Sequence, residues 1–496
     1  MESIGTITIH YPYVDEKTRE ILQSVMPEAE NFADFTKRLC DRVCTDDTPM
    51  LTQYLAFYFA DVLFDFRLLD RLEAADRVTA MAEPLLFLIK DRRGQGITRE
   101  DMKKALKQAL DAAPNDWFVC HVYLTWRQWS AAVTSFTPAD YGIHPFQSII
   151  EGIEDNENLE YFNVYLLSIE SDGLRKEFEY SKAYELEQQA LQIAKKFDDR
   201  MAVADKTLAL GYLAKFSDVR EASNLVIKSR TLYEELGDTL GVGSSLLMMS
   251  HVMAYRGELN AAVEYVRDYA NVRESLSLPS DLQMCMVAFY HNHMGNGKAA
   301  WEILTNLNVH DQSPITIRVS YHSQKSWALL ICHRQDKAKY EFEQAKMAIS
   351  ELGELEHLVL GEILEGLIEK TEGELDGAID ALKRALEAVE NGPAPMYLKN
   401  LCLLHLTDIE VEKYDYGALD SKEDVSGPWM QMLEAHVKKN DLPGIESWSK
   451  ILKAKFRRKQ GREDDVKSLL DDVLDAANSS SMRYLKDIVK DTFLDY

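Results

Sequence analysis

The feature that most constrains this chain is a segment that occurs twice in the same phase. Residues 235–269 read ELGDTLGVGSSLLMMSHVMAYRGELNAAVEYVRDY, and residues 351–386 read ELGELEHLVLGEILEGLIEKTEGELDGAIDALKRAL. Glu235-Leu236-Gly237 and Glu351-Leu352-Gly353 lie equally far ahead of a Gly-Glu-Leu turn, at Gly257-Glu258-Leu259 and Gly373-Glu374-Leu375. Each copy holds two apolar helical faces split by that turn. A repeat of this length cannot bury its apolar face alone, so copies must stack on one another.

An Ala follows five residues after each of these two turn glycines, at Ala262 and Ala378, and the small residue of each second helix serves as a ruler. It falls at Ala183, Ala222, Ala262, Ala300, Ala338 and Ala378, with spacings of 39, 40, 38, 38 and 40. Twelve residues earlier stand Ser171, Leu210 (beside Gly211), Ser250, Ala288, Ser326 and Gly366; seven later stand Ala190, Ser229, Tyr269, Leu307, Ala345 and Ala385. Two antiparallel helices approach closely only where both side chains are small, so a small residue is expected on each helix at the crossing.

The arrangement at Gly366, Gly373, Ala378 and Ala385 resembles the tetratricopeptide repeat, in a long version whose period is near 39 rather than 34. Long repeats of this kind are similar to the sensor domains of large bacterial regulators. The resemblance covers residues 158–391 and resumes over 445–490 around Gly461. It implies an all-α, right-handed superhelical solenoid of antiparallel helix pairs. The expected organisation is an irregular helical region with a short extended arm over 1–150 and six repeats over 151–391. An irregular helical insertion over 392–444 and a final repeat and cap over 445–496 follow.

Ahead of the array, residues 1–14 alternate as a strand or arm would, and helices are expected near 15–26, 31–44, 50–69, 71–90, 99–112 and 116–133. Asp46-Asp47-Thr48-Pro49 is a helix-start signal, and Thr98 with Asp101 suits a capping box. The aromatic group Trp117, Phe118, Tyr123, Trp126 and Trp129 is expected to pack this region's core.

Charge and composition narrow the function. The chain carries 82 acidic and 56 basic residues, a formal net charge of −26. Such a field repels phosphate backbones and anionic membranes, so DNA binding by the body of the array and membrane association are not expected. Six cysteines in 496 residues make no disulfide framework and suit a reducing, cytoplasmic setting. Gly295-Asn296-Gly297-Lys298 lacks the first glycine and the Ser/Thr of a phosphate-binding loop, so it is expected to be a repeat turn. No metal-ligand spacing, nucleophile elbow or kinase set is present; no metal, cofactor or catalytic residue is expected.

Two surfaces remain. In repeats of this type the first helices line the concave face, and the resemblance places His251, Tyr255, Phe289, Asn292, His293 and Trp327 there. These are side-chain types suited to a protein or peptide partner, with a small molecule as the other possible occupant. The second is KILKAKFRRKQGR, residues 450–462, with seven basic residues and no acid. Lys455, Arg458, Lys459 and Arg462 share a helical face there. Pairing with acidic neighbours in the array is one reading, docking of an acidic partner or RNA the other. The expected function is a non-catalytic interaction scaffold, with the ligand-sensing part of a signalling or transcriptional regulator as the alternative.

Overall fold

The structure is a computed structural model. It describes residues 15–63, 65–92, 98–112, 156–176, 179–215, 218–276, 278–311, 313–352, 355–391, 396–413, 427–440, 442–478 and 480–493. The expected arm at 1–14 and the expected helix near 116–133 with its aromatic group lie outside them. Every regular element among the described residues is a helix. In chain order these are α1 (Glu16–Val25), α2 (Phe32–Thr45), α3 (Met50–Val62), α4 (Phe66–Ala74), α5 (Glu83–Arg92), α6 (Arg99–Asp111), α7 (Asn156–Lys176), α8 (Tyr180–Lys196), α9 (Arg200–Ala214) and α10 (Val219–Leu236). There follow α11 (Thr239–Arg256), α12 (Leu259–Ser275), α13 (Asp281–His293), α14 (Gly297–Thr305), α15 (Ile315–Ile331), α16 (Gln335–Leu352), α17 (Leu355–Glu372) and α18 (Leu375–Asn391). The last are α19 (Met396–Lys413), α20 (Pro428–Lys439), α21 (Pro443–Lys459), α22 (Glu463–Ala476) and α23 (Tyr484–Thr492).

The chain forms two compact units, one of Met1–Ala214, Arg220–Ser245 and Ser275–Leu278, the other of Lys215–Val219, Leu246–Glu274 and Pro279–Tyr496. They divide the chain by contact, whereas the segments read from the sequence divide it by repeat phase.

In the first unit, α1–α6 share one core with α7, α9 and α10. Phe32, Phe35, Phe57 and Phe59 are buried there with Tyr161, Met201 and Tyr233. Phe32 meets Phe59 edge-on, ring centroids 5.3 Å apart. The helix expected over 50–69 ends instead at Val62. Asp65 then caps α4, its Oδ1 accepting from the backbone N–H of Arg67 and Leu68 at 3.1 and 3.2 Å. The capping box at Thr98 is present: Asp101 N–H donates to Thr98 Oγ1 at 3.2 Å, and Thr98 N–H to Asp101 Oδ2 at 3.3 Å.

The repeats stack by the small-residue rule, giving an all-α solenoid of tetratricopeptide-like helix pairs. All six ruler alanines are fully buried. Ser171 Oγ donates to the carbonyl oxygen of Ala183 at 3.2 Å, and Ser326 Oγ to that of Ala338 at 2.9 Å. At the same place in a later repeat, a Cβ on Gly366 would lie 3.1 Å from Ala378 O. A hydroxyl or a bare Cα therefore sits directly on the partner helix's backbone. In the second unit the first helices α13, α15, α17, α19 and α21 also touch in succession, forming one layer. The irregular segment joins this stack: α19 and α20 pack between α17/α18 and α21/α22.

Within a pair the chain reverses through a left-handed residue. Gly257 (φ 79°), Gly295 (φ 77°), Gly373 (φ 85°) and Gly461 (φ 70°) hold this position. At Gly257 the turn is a Schellman motif, with Gly257 N–H on Ala254 O at 3.0 Å and Glu258 N–H on Met253 O at 2.8 Å. The same pair of bonds forms at His333, whose φ is 55°. The phosphate-loop lookalike is one of these turns: Asn296 caps α14, its Oδ1 accepting from Ala299 N–H at 3.2 Å.

The second unit also closes on itself. A Cβ on Gly257 would lie 2.7 Å from Ile445 N and 2.8 Å from Gly444 Cα, and one on Gly444 would collide with the Gly257 carbonyl. Tyr484 OH donates to Gly257 O at 2.8 Å, and Tyr484 N–H to Asn260 Oδ1 at 3.0 Å. Asn400 Nδ2 donates to Tyr255 O at 3.1 Å. The final repeat is thus seated on the unit's first one, and α12, α21, α22 and α23 share a core.

Three substitutions probe this architecture by thermal melting. Ala378→Leu is expected to cost about 1–3 kcal/mol through overpacking at the crossing. Gly444→Ala should cost a similar ~1–3 kcal/mol, because the clash is with backbone and cannot be relieved by a rotamer change. His333→Gly should instead raise stability by roughly 0.5–1 kcal/mol, since an exposed L-residue is relieved of a left-handed backbone. Unchanged melting in Ala378→Leu would refute the repeat register.

Candidate functional site

The second unit encloses a cleft of about 980 Å³. Its walls come from the C-terminal ends of α13 and α15, the middles of α19 and α21, and α23. The elements are placed there by the two constraints above. Small-residue crossings bring the first helices side by side, and closure at Gly257 and Gly444 carries α21 and α23 round to face α13.

Of the groove residues expected from the sequence, Asn292, His293 and Trp327 line the cleft. Asn292 Nδ2 donates to Gln324 O at 2.8 Å, and its Oδ1 is buried with no hydrogen-bond partner. His293 is 7% exposed and its Nε2 has no partner. Burial, aided by His405, pushes its pKa down to about 3. Trp327 is 4% exposed and meets Phe289 and His405 edge-on, with ring centroids 5.9 and 6.2 Å away. Phe289 lies behind this wall, also against Tyr397 at 5.6 Å. Tyr255 is packed in the same core. His251 is half-buried on α11, its Nδ1 3.4 Å from Lys215 Nζ, and desolvation followed by the Lys215 charge pushes its pKa down to about 3. Tyr255, Phe289 and His251 are not among the cleft's lining residues.

The basic face is engaged with its neighbours. Lys455 lines the cleft and pairs with Asp408 Oδ1 at 2.9 Å. Lys459 Nζ donates to the carbonyls of Val411 and Glu412 at 2.7 and 3.0 Å. It thereby satisfies the C-terminal end of α19, where a cation also suits the helix dipole. Arg458 lies over the Phe493 ring, 5.6 Å from its centroid, and Arg462 pairs with Asp465 at 2.5 Å.

Sequence reasoning missed the other side of the cleft. Leu401, His405 and Asp408 are one face of α19 and all line it. His405 stands 39 residues after Gly366, so extending the ruler through the irregular segment would have found it. Burial, with the Lys370 charge behind it, pushes His405 down to about 4, and its Nε2 has no partner. Asp408 is held differently. Burial raises a carboxyl's pKa, but the Lys455 and Lys370 ammoniums overcome it and keep this one well below the usual range. Lys370 Nζ sits 2.5 Å from Asp408 Oδ2 and 2.8 Å from Glu412 Oε1. A carboxylate shared by two ammoniums is fixed in charge and place.

Chemically the cleft can bind. It is lined by an indole, three imidazoles counting His291, apolar Leu401, Leu404 and Leu452, and a fixed Lys–Asp–Lys bridge. Among the described residues no group of three or more His, Cys, Asp or Glu side chains is placed to hold a metal ion. No described helix is long and apolar enough to cross a membrane.

No known protein family matches the chain, and no curated protein does. Among solved structures, similarity extends to a Rap protein complexed with Competence and Sporulation Factor. That match has 10% identity and a TM-score of 0.49 over 71% of this chain and 99% of that one. A second is the Rap conjugation gene regulator of the plasmid pLS20 in complex with the Phr* peptide, at 15% identity and TM-score 0.44 over 78% and 96%. A third is the apo form of the quorum sensor NprR from B. thuringiensis, at 13% identity and TM-score 0.44 over 76% and 99%.

Proposed function

We propose that this chain is a non-catalytic binding protein that takes a peptide, or an extended segment of a protein partner, into the cleft of its second unit. The observation that carries this reading is the cleft itself. It is large enough for a few residues of extended chain, apolar on the Trp327, Leu401 and Leu404 side, and edged by charged side chains of α21 and α23. Concave sites of a few hundred to about 1,000 Å³ with sparse convergent polar groups are the usual form of ligand pockets. Nothing in the site supplies an activated nucleophile: the imidazoles are held neutral and Asp408 is committed to two lysines.

One feature favours the ligand-sensing alternative over a passive scaffold. The wall formed by α23 is held to the first repeat of the unit by Tyr484, through Gly257 and Asn260. An occupant that displaces α23 would therefore act on the contacts closing the unit, giving ligand and conformation a direct coupling.

The test is selection of short peptides from a random display library against the full chain, followed by cleft filling. His405→Trp places a larger ring in the opening, and Lys490→Trp does so from the exposed rim of α23. Binding of selected peptides should weaken at least ~10-fold, about 1.4 kcal/mol, in whichever variants melt like the wild type. Peptides that bind both folded variants at full strength would move the binding surface out of the cleft.

A further inference from the structure

Two ammoniums and two carboxylates lace three successive first helices together at the cleft wall. Lys370 on α17 reaches Asp408 Oδ2 at 2.5 Å and Glu412 Oε1 at 2.8 Å, both on α19. Lys455 on α21 reaches the other oxygen of Asp408, Oδ1, at 2.9 Å. One turn further along α21, Lys459 holds the Val411 and Glu412 carbonyls at 2.7 and 3.0 Å, which keeps α19 and α21 in step. The charges of the four laced side chains cancel. Of the four, Lys455 and Asp408 line the cleft.

The two ammoniums differ in what they have left to donate. Each carries three N–H groups. Lys370 uses two of them, and its side chain is 17% exposed. Lys455 has one acceptor among the described residues, Asp408 Oδ1, and its side chain is 33% exposed on the cleft wall. Two of its donors are therefore open to an occupant. Leu452, one turn back on α21, is buried in the unit's core, so the Lys455 stem is anchored at its base and its tip is held by Asp408. Lys486 and Lys490 stand exposed on the rim of α23, where ordering either one costs side-chain entropy; Lys455 is ordered before any ligand arrives. Its charge is also matched. A ligand carboxylate would have to compete with Asp408 for it, whereas a neutral acceptor takes the remaining N–H groups and leaves the pair undisturbed. An extended chain presents such an acceptor at every residue, the main-chain carbonyl.

We infer that Lys455 donates to a main-chain carbonyl of the bound peptide, and that Asp408 is the positioning residue that holds Lys455 for that contact. This rests on the peptide-binding reading and names the group of the cleft that takes the peptide backbone. The laced cluster brings no net charge, so the contact itself neither selects for acidic side chains nor depends strongly on salt. Removing the Asp408 carboxylate changes the kind of recognition and not only its strength. With Asn at position 408 the cluster carries one positive charge, and Lys455 becomes an unmatched cation. Such a cation prefers acidic peptides and does so in a salt-dependent way.

The experiment takes peptides selected by display against the full chain and keeps those excluded by His405→Trp or Lys490→Trp, which marks them as cleft-bound. Lys455→Met retains the aliphatic stem and removes the donors, and should weaken these peptides about 10-fold. Each backbone amide of a peptide is then replaced in turn by an ester, whose carbonyl is a poorer acceptor. At one position the loss seen with the wild type should disappear in Lys455→Met, the signature of a direct pair. Asp408→Asn should weaken neutral peptides about 10-fold, and Gln→Glu replacement in the peptide should now restore affinity in low salt only. Thermal melting identifies the variants that stay folded. The double variant Asp408→Asn/Lys455→Met leaves Lys370 paired with Glu412 and no ammonium unmatched. It therefore covers the case in which a single variant fails to fold, and should bind as weakly as Lys455→Met alone. Full-strength binding of the cleft-bound peptides by folded Lys455→Met or by the double variant would overturn the contact and leave the peptide reading intact. An ester scan unchanged by the loss of Lys455 would do the same. Folded Asp408→Asn that loses neutral and acidic peptides equally would overturn the positioning role, because a general loosening moves both alike. If neither filling variant excludes any selected peptide, the peptide reading fails and this inference fails with it.

Discussion

Everything in this protein depends on how closely one helix can lie on the next. Where Ser171 and Ser326 hydroxyls reach the backbone of Ala183 and Ala338, and where Gly366 offers only a Cα, two helices meet with nothing but backbone and a methyl between them. Each such crossing fixes the tilt of its pair. Repetition at a period near 39 then turns a local steric rule into a stack, with long apolar faces buried between successive layers. The cleft, its polar lining and its closure all inherit their positions from that spacing.

Closure is the second constraint, and it differs in kind. Most contacts in a repeat stack join neighbours, yet the second unit brings Gly257 against Gly444 and Tyr484 against Gly257 across nearly its whole length. Two glycines in backbone contact leave no room for adjustment, so the final repeat has one seat. Closing the unit buries Tyr255 and Trp327 and leaves the cleft beside them, where charges are compensated internally. Asp408 shared between Lys370 and Lys455 does this. Breaking one member of such a bridge leaves a buried charge unpaired, which is far costlier than losing an exposed pair.

The repeat was legible in the sequence because small residues at a crossing are dictated by sterics alone. The six ruler alanines are all fully buried, and the turn at Gly295 is the repeat turn its neighbours suggested. The cleft was half legible. Asn292, His293, Trp327 and Lys455 were singled out separately and meet in one site, because phase along a helix can be read from spacing. That Phe289 and Tyr255 lie behind the wall could not be read, since it depends on how tightly the unit closes on itself. His405 and Asp408 were missed because the prolines and glycines of 392–444 mark it as an irregular insertion, although His405 keeps the first-helix spacing, 39 residues after Gly366. The basic run at 450–462 shows the same limit from the other side. Its composition suggested a docking patch as readily as internal pairing, and only the fold places Lys459 on the carbonyl end of α19.

The most direct measurement is hydrogen–deuterium exchange of the full chain with and without a saturating selected peptide. Occupation of the cleft predicts new protection confined to the C-terminal ends of α13 and α15, to the cleft-facing turns of α19 and α21, and to α23. Protection centred instead on the second helices, such as α16 around the exposed Tyr340 and Met347, would contradict it.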